Sequence, residues 1–322
     1  MPENSVIIRH PRPEDLAGLQ SLWAASFPED CDGQFIPWYF QNRFQPENCW
    51  LLEQQGVLTA MCFAPEVHLQ LPDGSLLPAP YIQGVATAAE KQRRGYCRRL
   101  LAAAEQDLAA RGYPLCILKP FNPDFYQPLG YRFFSYIRRY NLRLDKHFLA
   151  PLATPEQPCR LEHFLCPENA AGPAAQIYQE WCRLGVARAF ARRSPADFRL
   201  LLCDHRHDKG QLLLASSHKR EPLAYALYTA TADGLFIREL AFKRPAAARW
   251  LLTALAADYR EDTPAAVLIM PDNPACCTPL PQTLAGWQVL PFAMLKLLTK
   301  PAQECYNNIE NMIANAYFYE YF

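Results

Sequence analysis

The chain opens with a short apolar run, Val6-Ile7-Ile8-Arg9, followed by Pro13-Glu14-Asp15 and then by Leu16, Leu19, Leu22 and Trp23 at helical spacing. Acids ahead of such a stripe suit the positive pole of a helix, so the pattern predicts a strand and then a helix. Residues 35–44 are aromatic-rich and predict a second helix. The stretches 49–54, 57–71 and 76–87 carry β-type residues and are divided by Gly56 and by Pro72-Asp73-Gly74, which predicts an antiparallel meander. After Gly95 an Ala/Leu-rich helix runs to Ala110 and stops at Arg111-Gly112; a buried strand, Leu115-Cys116-Ile117-Leu118, follows at once, and residues 131–144 predict further strand.

The pattern then returns. Displacing the chain by 151 residues sets Arg249 on Arg98 and aligns 98–120 with 249–271 without a gap. Leu100, Leu101, Ala103, Pro120, Asn122 and Pro123 fall on Leu251, Leu252, Ala254, Pro271, Asn273 and Pro274. Self-similarity at a fixed offset signals a duplicated unit. Pro151, Pro155 and Pro158 mark a linker. The expected organisation is a first domain at 1–145, a linker at 146–158, a degenerate second copy at 159–300, and a terminal helix with an aromatic tail at 301–322. The expected fold is mixed α/β (α+β), with mostly antiparallel mixed sheets flanked by helices.

Composition narrows the function classes. Lys plus Arg and Asp plus Glu are 32 each, so no global basic field points to nucleic acid. The amino terminus lacks the layout of a leader, and no apolar run approaches the roughly 18 residues a membrane span needs. A soluble cytoplasmic protein is expected. The 12 cysteines are scattered without a C-x-x-C pair and read as reduced, several as small core residues.

Chemistry concentrates at residues 83–97. The strand-like Gln83-Gly84-Val85-Ala86-Thr87 leads through Ala88-Ala89-Glu90-Lys91 into Gln92-Arg93-Arg94-Gly95-Tyr96-Cys97 at a helix start. A helix N-terminus leaves backbone N–H groups without intrahelical partners, and a glycine lets the backbone approach an anion, so this turn suits a pyrophosphate. Lys91, Arg93, Arg94 and Arg98 add positive charge.

A Q-x-x-G-x-[G/A] turn after a V-A strand resembles the acyl-CoA signature of the GNAT superfamily of N-acetyltransferases; Cys97 departs from its last position. Asn122 to Tyr131 resembles that superfamily's F-Y-x-x-x-G-[F/Y] segment, whose tyrosine faces the thioester sulfur. The resemblance implies acetyl-CoA as co-substrate and no metal. It implies binding through Val85, Ala86, Thr87, Gln92, Arg93, Arg94, Gly95, Tyr96, Cys97 and Asn122. Tyr126 is then the general acid, because a phenol suits the protonation of a thiolate.

Within the superfamily the chain is most similar to the enhanced-intracellular-survival type, which joins two GNAT-like regions, although its usual sterol-carrier-like third domain has no counterpart here. That resemblance extends to Ile177–Trp181, Leu223–Tyr228, Arg238-Glu239-Leu240 and Leu268–Pro274. It implies a terminal carboxylate, that of Phe322, as general base, and amine contacts from Phe27, Glu29, Asp30, Asp32, Trp38 and Glu239.

The second copy reads as non-catalytic. Gly95 falls on Ala246, Arg94 on Pro245 and Tyr126 on Cys277, and a proline removes an N–H from the anion cradle. The cluster Cys203-Asp204-His205-Arg206-His207 lacks the paired spacing of a structural zinc site. The expectation is transfer of an acetyl group to a primary amine, on a polyamine, an aminoglycoside-like molecule or a lysine. Another acyl donor, a CoA-binding protein without turnover, and homo-oligomerisation stay open.

Overall fold

The computed structural model describes residues 6–31, 34–144, 160–164, 167–184, 189–258, 265–272, 276, 286–299, 313, 316 and 318. The first half runs β1 (Val6–Arg9), α1 (Leu16–Ser26), α2 (Phe35–Asn42), β2 (Cys49–Gln54), β3 (Val57–Phe63), β4 (Glu66–Gln70), β5 (Leu76–Thr87), α3 (Tyr96–Ala110), β6 (Leu115–Leu118), α4 (Pro123–Tyr126) and β7 (Arg132–Arg143). The second runs β8 (Arg160–Phe164), α5 (Pro167–Leu184), β9 (Phe190–Ala191), α6 (Pro195–His207), β10 (Gln211–Ser216), β11 (Pro222–Thr231), β12 (Gly234–Phe242), α7 (Pro245–Asp258), β13 (Ala265–Pro271) and β14 (Trp287–Leu297). The segment expected as one strand over 57–71 is broken at Ala64-Pro65, because proline has no N–H to give to a ladder.

The strands form one mixed sheet in the order β1-β2-β3-β5-β6-β14-β7-β13-β12-β11-β10-β8, with β4 and β9 off this path. The order reads alike from both ends. Each half supplies an antiparallel run closed by one parallel pair, β5 with β6 and β12 with β13, joined in each case by a helix. The last strands are exchanged: β14 pairs with β6 of the first half, β7 pairs with β13 of the second, and β7 and β14 pair with each other at the centre.

Helices cover the sheet on both faces, which is why β6 is apolar at every position and buried throughout. On one face α3 packs Tyr96, Leu100, Leu101, Ala104 and Leu108 against Trp50, Leu52, Cys62, Ile82 and Leu118. On the other, α1 and α2 pack Leu19, Trp23, Ile36 and Tyr39 against Leu51, Met61 and Phe63. A third core lies on this second face at the centre and gathers Tyr81, Ile117, Phe134, Ile269, Phe292 and Leu295, with Ile313, Ala316 and Phe318 of the tail. Each fully buried leucine here contributes about 2 kcal/mol by leaving water. The exchanged strand is also tied electrostatically: Lys296 of β14 donates to Glu105 of α3 at 2.5 Å, and the other carboxylate oxygen accepts from the Tyr131 hydroxyl at 2.8 Å.

Candidate active site

The site begins where two parallel strands part. Tyr81 lies opposite Ile117 and Ile82 opposite Leu118, and there the pairing of β5 with β6 ends. Beyond it β5 continues to Thr87, held on its other edge by β3 through Met61 with Ala86 and Ala60 with Thr87. A fork opens between residues 83–87 and the end of β6, and peptide groups on that edge have no strand to bond.

Gly84 shapes the fork. Its φ is +55°, at an irregularity in the register between Met61 and Phe63 of β3. A Cβ there would lie 2.6 Å from the Phe63 ring and 3.2 Å from Trp23. Only glycine satisfies both the dihedral and the packing.

Past Thr87 the chain turns through residues 88–95 into α3. The Gln92 carboxamide donates to the Thr87 carbonyl at 3.2 Å and ties the loop to the strand. Gly95 is the residue before the helix, with φ +80°, and no side chain caps α3, so its first-turn N–H groups are left facing the loop. Gln92, Arg93, Arg94 and Gly95 are exposed. Arg93, Arg94, Arg98 and Arg99 have no acidic partner among the described residues. Uncapped amides and unpaired guanidinium groups at one helix start fit a phosphate-bearing ligand. Tyr96 is buried beneath the loop, Cys97 half-buried beside it, and Val85 packs toward the same core.

Tyr126 closes the α3 side of the fork. Asn122, expected to bind the acyl donor, has its side-chain oxygen occupied in capping α4, where it accepts from the Asp124 amide at 3.1 Å. The short helix sets the Tyr126 ring edge-on against Phe125 at 5.0 Å and Tyr131 at 5.7 Å. Its hydroxyl makes no hydrogen bond with a described residue. Burial raises its pKa, and the neighbouring Cys97 and Cys62 thiols add to the effect, so the phenol stays protonated. The cysteines are unsuited to nucleophilic attack: burial pushes Cys97 up to about 11 and Cys116 up to about 12, which leaves both as thiols.

The opposite side of the fork differs from the sequence expectation. Asp30 accepts from the Trp23 indole at 2.7 Å, and burial raises its pKa. Phe27 and Trp38 belong to an aromatic cluster with Trp23, Phe35 and Tyr39, and Trp38 also meets His207 at 5.4 Å. Glu29 lies in the turn after α1. Glu239, expected to meet a cationic substrate, is fully buried and bound by both oxygens to Arg193 at 2.9 Å, and it accepts from the Tyr225 hydroxyl. Its negative charge is neutralised inside the second half. Asp32 and Phe322 lie outside the described residues, as does Cys277. The described Phe318 is buried, its ring on Tyr81 at 5.3 Å and its carbonyl accepting from Ser135 at 3.3 Å.

Two residues that pattern reading left without a role stand at the fork itself. Gln83 donates to the Tyr39 hydroxyl at 2.6 Å, while its carboxamide oxygen is buried and unpartnered. Lys119 follows β6 directly. A glycine interrupting a strand, Gly84, was the available signal for the first; no local signal marked the second.

In the second half α7 starts at Pro245, and β12 parts from β13 after Ile237 and Leu268. A proline at the helix start removes a donor where the first half offers one. Among the described residues no group of three His, Cys, Asp or Glu is placed to hold a metal. His205 is buried instead against Gly210, with its ring nitrogen on the Gln211 carbonyl at 3.1 Å. A cavity of about 360 Å³ opens elsewhere, between the halves at Arg43, His68 and Arg193. Asp204 and Glu239 already neutralise its Arg43 and its buried Arg193.

Comparison with known proteins agrees with this geometry. Residues 7–134 match the model of an acetyltransferase (GNAT) domain. No curated protein matches the chain by sequence. Among solved structures, a GCN5-related N-acetyltransferase from Anabaena variabilis is 17% identical, with 92% of this chain and 73% of that one covered at a TM-score of 0.72. Eis1 from Mycobacterium abscessus is 18% identical, with 91% and 74% covered at 0.57. The Saccharomyces cerevisiae N-myristoyltransferase with bound myristoyl-CoA is 11% identical, with 92% and 83% covered at 0.55. No described helix is long and apolar enough to cross a membrane. Residues 7–134 of this chain therefore carry a GNAT acetyltransferase domain, which makes the protein an acyltransferase, within a mixed α/β fold that 92% of the chain shares with a solved GCN5-related N-acetyltransferase.

Proposed function

We propose that the protein transfers an acetyl group from acetyl-CoA to a primary amine by direct attack at the fork between β5 and β6. The observation that carries this reading is one opening with an uncapped, arginine-flanked helix start at its outer end and an unbonded phenol on its wall. In the proposed complex the first-turn amides of α3 with Arg93 and Arg94 hold the pyrophosphate, and the open edge of residues 85–87 hydrogen-bonds the pantetheine arm. Tyr126 gives its proton to the departing sulfur. Burial keeps the phenol protonated at neutral pH, as a general acid must be, and the charge that develops on the departing sulfur draws the proton across.

The amine must lose a proton before it attacks. The second half is proposed to wall the acceptor side without binding an acyl donor. A longer acyl chain is the second reading, favoured by the likeness to a structure solved with myristoyl-CoA.

Thiol release from acetyl-CoA with a panel of primary amines tests the reading. Turnover with at least one amine is expected, and binding of acetyl-CoA without release for every amine overturns it. Tyr126→Phe should lower kcat roughly a hundredfold, a usual worth for a general acid, and leave acetyl-CoA affinity unchanged. An equal loss of both would assign Tyr126 to packing.

A further inference from the structure

The acceptor face of the fork carries cations as well as the acids the sequence suggested. Ile82 and Leu118, the last paired residues, both point into the α3 core, whereas Tyr81 and Ile117 point into the central core on the opposite face. Side chains alternate along a strand, so Gln83 and Lys119, the next residue on each strand, stand beside one another on that opposite face at the point of parting. The position of Lys119 bears this out, since its ammonium lies 5.2 Å from the centre of the Phe292 ring, a member of the same core.

The second half brings another cation to this face. Arg238 is the first residue of β12 beyond its own parting from β13, and its guanidinium lies 5.9 Å from the Phe236 ring, which packs on the central core. Arg238 pairs with the half-exposed Asp208 at 2.8 Å. Lys119 has no acidic partner among the described residues, and burial first, then the Arg238 cation, hold its pKa below the ordinary value. Like charges brought close oppose each other unless an anion lies between them. Asp208 meets Arg238 from one side, whereas no described acid meets Lys119, so the charge left unanswered at the fork is that of the lysine.

Gln83 supplies the complementary group. Its side chain is fixed by Tyr39, the residue is 7% exposed, and the carboxamide oxygen is an enclosed acceptor with no donor. An unmet buried acceptor costs about 1–3 kcal/mol unless a ligand fills it, and an amine N–H is the natural donor.

Resting on the acyl-transfer reading above, we infer that the acceptor is a small amine that also carries a carboxylate, of the amino acid type. Its N–H groups bond to the Gln83 carboxamide oxygen, and its carboxylate lies between Lys119 and Arg238. A polyamine would place a second positive charge against these two cations.

The test pairs each amino acid with its decarboxylated amine: L-lysine with cadaverine, L-ornithine with putrescine and L-leucine with isoamylamine. Thiol release from acetyl-CoA should favour the carboxylated member by about tenfold or more in kcat/KM, the worth of one charge-assisted contact. Lys119→Met should erase that preference by raising KM for the amino acids, with KM for acetyl-CoA unchanged, and Lys119→Glu should turn it toward the diamines. Preference for the diamines by the unaltered protein, or an undiminished preference in both variants, overturns the inference. If no amine releases thiol, turnover fails as a reading, and calorimetric titration of the CoA-loaded protein decides the site alone. Binding of L-lysine or L-leucine that Lys119→Met abolishes upholds it; no binding, or binding indifferent to the variant, overturns it.

Discussion

Gly84 is the residue on which the fork turns. Alanine at φ +55° costs about 1–2 kcal/mol, and overpacking against Phe63 and Trp23 costs about 1–3 more. Gly84→Ala should therefore lower stability by roughly 2–5 kcal/mol, read as a lower urea midpoint, and should depress turnover as β5 shifts. A change within a few tenths of a kcal/mol would mean that the backbone there has no need of glycine. His205 makes a pH prediction. Its buried ring has a pKa lowered to about 4, mainly by desolvation, against the ordinary 6.5 of an unfolded chain. Between those values the unfolded chain binds the extra proton, so stability should fall as pH drops from about 6.5 toward 4, by up to roughly 3 kcal/mol from this group. His205→Gln should flatten that part of a stability-against-pH curve. At this scale the uncapped helix start and the turn that carries Tyr126 were legible because glycine, arginines and an aromatic pair sit within a few positions of one another. The partners of Asp30 and Glu239 were not: Trp23 reaches Asp30 from the preceding helix, and Arg193 reaches Glu239 from 46 residues away.

At the scale of elements, β5, the loop and α3 act as one device. The strand ends its pairing at Ile82, the loop is tied back by Gln92, and the helix presents uncapped amides. Arg93→Ala together with Arg94→Ala should raise KM for acetyl-CoA by about tenfold or more, the worth of losing one or two charge-assisted hydrogen bonds, while kcat changes little. The effect should shrink as salt rises, because these side chains are exposed. An unchanged KM at low salt would remove the phosphate reading. Strand, glycine turn and helix were readable in order because each carries its own periodicity and stop signal. The repeat at an offset of 151 likewise set helix on helix and strand on strand, as α3 with α7 and β6 with β13. The length of β5 was legible too, but not the place where its pairing with β6 ends, which depends on strands that diverge in space.

For the whole molecule the decisive feature is the exchange of β7 and β14. Each half lacks a strand of its own sheet and receives it from the other, and the Lys296 to Glu105 contact fastens one exchanged strand to α3. Residues 1–144 produced alone should not unfold cooperatively, since β6 would expose the edge that β14 covers. Supplying residues 159–322 in trans should restore a single transition; an independently cooperative first half would contradict the exchange. No local pattern announces such pairing, because β6 and β14 meet across more than 170 residues of chain. The recurring helix-then-strand order was visible in sequence as a shared period, and the pairing of β14 with β6 and of β7 with β13 was visible only in the sheet.

The central claim is that acyl-CoA binds at the first fork and not at its counterpart in the second half. Amide hydrogen exchange with and without acetyl-CoA tests it most directly. The account predicts slowed exchange over residues 83–98, covering the open edge of β5, the loop and the first turn of α3, with residues 238–248 unaffected. Equal protection of both segments, or protection confined to the second, would contradict it.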